Sequence, residues 1–142
     1  MNCQTYVTLA TVNEVMYQQE KLPFTCSPMD AAQTGAIAYI TLSKNSTSGW
    51  KEIVKIWLTV ENGQVVNKIT WTDTDVRNRA TIINKKVFPS SQARLQIEIS
   101  PISVKCSEKG DYKCSISGNS GSISIDSESA TKTVRMKGKT KL

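Results

Sequence analysis

The sequence predicts an all-β domain, a sandwich or barrel of about nine or ten antiparallel strands. Three observations carry this. Apolar residues alternate with polar ones at period two in four separate segments. Glycine, proline, asparagine and serine punctuate the spaces between segments at short intervals. No run of ten or more residues keeps an apolar stripe at helical spacing.

Taken in chain order, residues 4–10 are expected to form the first strand. Residues 13–20 come nearest to a helical segment, but they are few and polar. Leu22, Phe24 and Cys26 then share one strand face. In the strand expected at 36–42, Ala36, Ala38, Ile40 and Leu42 make the more apolar face and Tyr39 points outward. The polar stretch 44–49 reads as a connection. Val54, Ile56, Leu58 and Val60 alternate with Lys55, Trp57 and Thr59, and Glu61-Asn62-Gly63 signals a turn. Strands follow at 65–72 and 80–88, with Phe88-Pro89-Ser90 as the next break. Leu95, Ile97 and Ile99 define one further strand, and Tyr112, Cys114 and Ile116 another. Gly118-Asn119-Ser120-Gly121 leads to the last strand, at 130–137. No internal repeat or composition shift divides the chain, so residues 1–142 read as a single domain, with about 138–142 as a C-terminal linker.

Composition narrows function. The chain has 142 residues, 4 cysteines, no histidine and a formal charge of +6. That length supports a core without staples. Without histidine, the Ser-His-Asp and Cys-His catalytic arrangements and imidazole-built zinc sites are excluded. The seven glycines are scattered, and none opens a phosphate-cradling loop. Asp73, Asp75, Asp126 and Glu128 sit in polar, loop-like segments with no recognisable catalytic pairing. The expectation is a binding module, not an enzyme, with no cofactor and no metal. Met1 to Tyr6 lacks the basic-then-apolar pattern of a signal peptide, and no run of apolar residues is long enough to span a membrane. Much of the positive charge lies on Lys132, Arg135, Lys137, Lys139 and Lys141, with no interleaved aromatic residue. This reads as a solvated stalk, not a nucleic-acid or membrane surface. Asn45-Ser46-Thr47 is an N-glycosylation sequon in a polar stretch.

Residues 108–114, Glu-Lys-Gly-Asp-Tyr-Lys-Cys, carry an acid, then Gly110, Tyr112 and Cys114 at fixed offsets. This resembles the signature leading into strand F of immunoglobulin-superfamily domains. The resemblance implies a V-type β-sandwich. Tyr112 would form a tyrosine corner, Gly110 would permit the preceding turn, and Glu108 would pair with an arginine at the start of strand D, offered here by Arg79. It also implies a structural disulfide between Cys26 and Cys114. The chain departs from the pattern in two places. Ile40 stands where strand C normally supplies a buried Trp, and no Gly-x-Gly opens strand G between Ser117 and Ala130. Those departures argue against an antigen receptor. The chain is more similar to the V-like domains of divergent invertebrate receptors, and resembles those of cnidarian allorecognition receptors, with their altered core positions, more than the fibrinogen-related lectins of molluscs.

With that pair assigned, Cys3 and Cys106 remain as a candidate second disulfide, though the V-type path puts them at opposite ends of the sandwich. Either they pair through an unusual N-terminal path, or each thiol has a partner elsewhere. The cysteine count fits an oxidising compartment. The resemblance implies partner binding on the outer face of the sheet holding strands G, F, C and C′. Strand parity places Tyr39, Ile53, Lys55, Trp57 and Lys113 there, whereas Trp50 and Trp71 read as rim or packing residues. The expected function is that of an extracellular receptor domain recognising another protein, including a copy of itself on an apposed cell. The alternative is a soluble immune lectin-like module that binds a microbial glycan or antigen through its end loops.

Overall fold

The computed structural model describes residues 6–29, 35–120 and 122–138. Cys3, Lys139, Lys141 and the end of the expected linker therefore lie outside the described residues. Among the described residues, eleven strands form two sheets. The smaller sheet holds β1 (Val7–Ala10), β3 (Leu22–Pro28), β8 (Arg94–Ile99) and β7 (Ala80–Lys86), in the order β1-β3-β8-β7. The larger runs β2 (Glu14–Met16), β11 (Lys132–Lys137), β9 (Gly110–Ser120), β4 (Ala36–Ser46), β5 (Gly49–Glu61) and β6 (Gln64–Trp71), with β10 (Ile123–Glu128) also on β9. This is the strand order of a V-type immunoglobulin-like sandwich, as expected. All pairings are antiparallel except β2 with β11, which is parallel.

The core is made by the inward halves of the alternating strands. Leu22, Phe24 and Cys26 from β3, Leu95, Ile97 and Ile99 from β8, and Tyr112, Cys114 and Ile116 from β9 are all buried. Cys26 and Cys114 are bonded, with Cα atoms 5.8 Å apart and a sequence separation of 88. Because β3 and β9 belong to different sheets, the bond pins the two layers together. Closing so long a loop stabilises the fold by up to about 4.5 kcal/mol through the unfolded chain's lost entropy. Ile40 is fully buried opposite Ile56 and Ile116, where a strand-C Trp would otherwise sit.

The structure corrects several local expectations. The polar stretch from Ser43 to Ser46 continues β4, because its backbone is paired with β5 and, as far as Lys44, with β9. Only Thr47 and Ser48 turn the chain there. Residues 13–20 form no helix, in keeping with their polarity, but contribute a strand that was not expected: Glu14–Met16 lies alongside β11. A short helix, α1 (Thr74–Arg79), precedes β7; the Asp73 side chain caps it by accepting from the Val76 amide at 3.0 Å. Strand G is split into β10 and β11. At the break, the Ser129 hydroxyl accepts from the Cys114 amide at 2.9 Å and the Ser129 amide donates to the Cys114 carbonyl at 2.8 Å. Lys132, Arg135 and Lys137 thus belong to a strand, not to a stalk. The Asn62-Gly63 turn is as expected, with φ values of 53° and 77° that suit asparagine and glycine.

Candidate functional site

The strand-F signature builds the lower end of the sandwich, where β9 begins and α1 sits. The Tyr112 hydroxyl donates to the Glu108 carbonyl, closing the tyrosine corner. The Tyr112 ring lies 4.5 Å from that of Phe24 across the core. Arg79, at the end of α1, holds both Glu108 carboxylate oxygens, one of them at 3.0 Å, and also donates to the Ser103 carbonyl at 2.7 Å. Asp75 accepts from Arg79 at 2.9 Å and from Lys105 at 3.0 Å. The Lys105 amide donates to the Glu108 carboxylate as well. Gly110 has φ of 142°, so the position needs glycine for its conformation, and a Cβ there would press on Lys44 Cε at 3.0 Å.

The electrostatics follow from this packing. Hydrogen bonds to Glu108 hold the Arg79 guanidinium above its already high pKa. The bond from Arg79 lowers the Asp75 pKa. Burial pushes the Tyr112 hydroxyl up and the Lys44 ammonium down. Lys44 donates to the Ser107 carbonyl and lies 5.7 Å from the centre of the Tyr112 ring. These polar contacts brace the lower end of the sandwich. Asp73 and Asp75, read from sequence as loop carboxylates, cap and brace α1. Asp126 and Glu128 belong to β10, and Glu128 pairs with Lys113 at 2.8 Å.

The outer face of the larger sheet is built differently. Register sets Tyr39 on β4 directly opposite Trp57 on β5, and Trp57 opposite Lys68 on β6. The Lys55 ammonium sits 4.7 Å from the centre of the Tyr39 ring, an interaction of about 0.5–1 kcal/mol at an exposed site. Trp57 Nε1 donates to Thr70 Oγ1 at 2.9 Å, which fixes the plane of the indole. Tyr39, Lys55 and Trp57, with Ala38, Glu52, Leu58 and Thr70, line an open depression of about 400 Å³.

Two of the residues expected on this cluster are elsewhere. Ile53 is buried at 4% exposure. The pairing of β4 with β5 slips between Leu42 and Ser43, so Ile53 is the extra residue of a bulge and parity reverses there. Its carbonyl accepts from the amides of Thr72 and Asp73 at 2.9 and 3.1 Å. Leu58 and Val60, expected inward, are partly and largely exposed, because the hairpin runs past the end of the core. Lys113 does face outward but lies with Trp50, its ammonium 4.3 Å from the indole, away from the Tyr39–Trp57 pair. Glu52, Lys68 and Thr70 were not read from sequence. The Asn62-Gly63 turn alone sets the β5–β6 register, and it would have placed Lys68 and Thr70 opposite Trp57 and Lys55.

Cys106 is a free, exposed thiol in the turn before β9, and Cys3 lies outside the described residues. The Cys26–Cys114 bond suits an oxidising compartment. Among the described residues, no helix is long and apolar enough to cross a membrane. No family model and no curated protein matches the chain.

Proposed function

We propose that the chain is a divergent V-set domain of the immunoglobulin superfamily, the extracellular recognition module of a cell-surface protein. It binds another protein through the outer face of its larger sheet. The observation that carries this is the Tyr39–Trp57 pair, two aromatic residues set side by side over an open depression with Lys55 at its border. Buried Trp and Tyr side chains supply most of the energy at protein interfaces, and the hydrogen bond to Thr70 orders the indole before binding. A second copy of the domain is the partner this face fits best. Lys55 lies towards the β6 edge, whereas Asp126 lies towards the β10 edge. A half-turn that sets two such faces together brings each basic side over the other's acidic side.

Beads coated with the domain are expected to aggregate, and sedimentation should show self-association. Trp57→Ala should weaken it by about 2 kcal/mol, roughly thirtyfold. Aggregation unaltered in Trp57→Ala would rule out this face. A soluble lectin-like module is the second reading, favoured by the mixture of aromatic rings with Glu52, Lys55 and Thr70 around one depression. A monomer that binds reproducibly on a glycan array would select it.

A further inference from the structure

Trp50 has no role in the Tyr39–Trp57 cluster, and its position points to a different ligand. Asn45-Ser46-Thr47 is the one Asn-x-Ser/Thr triplet in the chain. Asn45 is exposed on the last turn of β4, and the register sets it directly opposite Trp50. Side chains in such a pair leave the same face, with Cβ atoms about 5 Å apart. The two-residue turn at Thr47-Ser48 holds them there: Ser46 Oγ donates to the Gly49 carbonyl at 2.8 Å. Trp50 leans across β4 to Lys113 on β9. Lys113 is 14% exposed and Trp50 is 39% exposed, so the indole roofs the lysine with one face and offers the other to solvent. Lys113 is fixed in turn by Glu128. The result is an aromatic plate seated on Lys113 and paired across one hairpin with an acceptor asparagine.

We propose that Asn45 carries an N-linked glycan whose first N-acetylglucosamine packs on the open face of Trp50. This rests on the extracellular reading above. In the transfer, the Asn45 carboxamide nitrogen bonds to the anomeric carbon of a lipid-pyrophosphate-linked oligosaccharide. The sugar–phosphate bond breaks, and the pyrophosphate carrier leaves with the amide proton. The axial C–H groups of the sugar then meet the negative face of the indole ring, the attraction that the Lys113 ammonium exploits on the other side. A glycan seated there covers the Trp50–Lys113 corner of the sheet. It confines any protein partner to the Tyr39–Trp57 end.

The test uses the whole chain, secreted from a eukaryotic cell line behind an added signal peptide. Intact mass should show one N-glycan on the parent protein and none on Asn45→Gln. After trimming to a single N-acetylglucosamine, the proton signals of that sugar should move upfield through the indole ring current. The trimmed protein should melt about 3 °C above Asn45→Gln, a shift typical of one modest contact in a domain of this size. Trp50→Ala should abolish the difference, and Trp50→Phe should keep most of it. An unoccupied Asn45, sugar signals at their free-solution positions, or a melting difference that survives Trp50→Ala would overturn the proposal. Since the host enforces secretion, any of these results would leave the Trp57 aggregation test untouched.

Discussion

At the lower end of the sandwich, Arg79, Glu108 and Tyr112 turn their polar atoms inward, onto one another and onto backbone carbonyls. On the outer face of the larger sheet, Tyr39 and Trp57 are set opposite by strand pairing, and their side chains meet only Lys55 and Thr70 beside open solvent. Both regions combine aromatic rings with charges, and both join residues distant in sequence. They differ in what removal of a member leaves behind. At the lower end it leaves a buried group without its partner, which is expensive. On the face it leaves water in place of a ring. Tyr39, Lys55 and Trp57 are half-buried, so the fold loses less here than at the lower end, and under the proposed function that contrast in stability cost separates the two roles.

The largest effect is expected for Arg79→Met. The Glu108 side chain is 5% exposed, and without Arg79 its carboxylate keeps only the Lys105 amide. Urea denaturation should register a loss of about 3 kcal/mol. Arg79→Met combined with Glu108→Met should recover much of it, since the orphaned charge goes too. Loss of less than 1 kcal/mol in the single variant would break the comparison.

Tyr112→Phe comes next, at about 1–2 kcal/mol at neutral pH, because the buried Glu108 carbonyl loses its donor. Its pH dependence sharpens the assignment. Burial raises the Tyr112 pKa above its ordinary value near 10. In that range the folded state therefore keeps a proton that the unfolded chain releases. Parent stability should fall as pH rises above about 10, and Tyr112→Phe should lack that part of the fall. Lys44, whose pKa burial lowers, acts in the opposite direction in both proteins and cancels from the difference. The smallest stability effect is expected for Trp57→Ala, within about 1 kcal/mol, despite the large loss it should cause in self-association. A destabilisation equal to that of Arg79→Met would assign the face to the architecture instead.

These two regions also differ in how readily the sequence discloses them. Glu108, Gly110, Tyr112 and Cys114 lie within seven positions, and each is demanded by local geometry. Arg79 is legible because one residue type at one strand entrance completes the pattern. The face depends on pairing between strands. Parity along β5 placed Lys55 and Trp57 correctly but failed at Ile53, because the bulge arises from how β4 and β5 meet, and β5 alone carries no trace of it. Helix α1 was missed since only Val76 of its six residues is buried, so it has no stripe. It is made by the Asp73 cap and the Arg79 anchor. Strand β10 is rich in serine and acid, and β2 is three residues long. The alternation of Ile123 and Ile125 with Ser124 and Asp126 is too short to stand alone, and β2 has none; both strands form because β9 and β11 offer unpaired backbone.

The parallel pairing of β2 with β11 sets how the domain would answer a pull on its two ends. Arg135, Met136 and Lys137 run alongside Glu14, Val15 and Met16 in the same direction. Tension entering ahead of β2 and leaving beyond β11 slides these strands lengthwise past each other. Their hydrogen bonds are then loaded together instead of opening one at a time like a zip. Rupture demands simultaneous failure of the whole patch, so a three-residue strand gives the module a mechanical clamp out of proportion to its length.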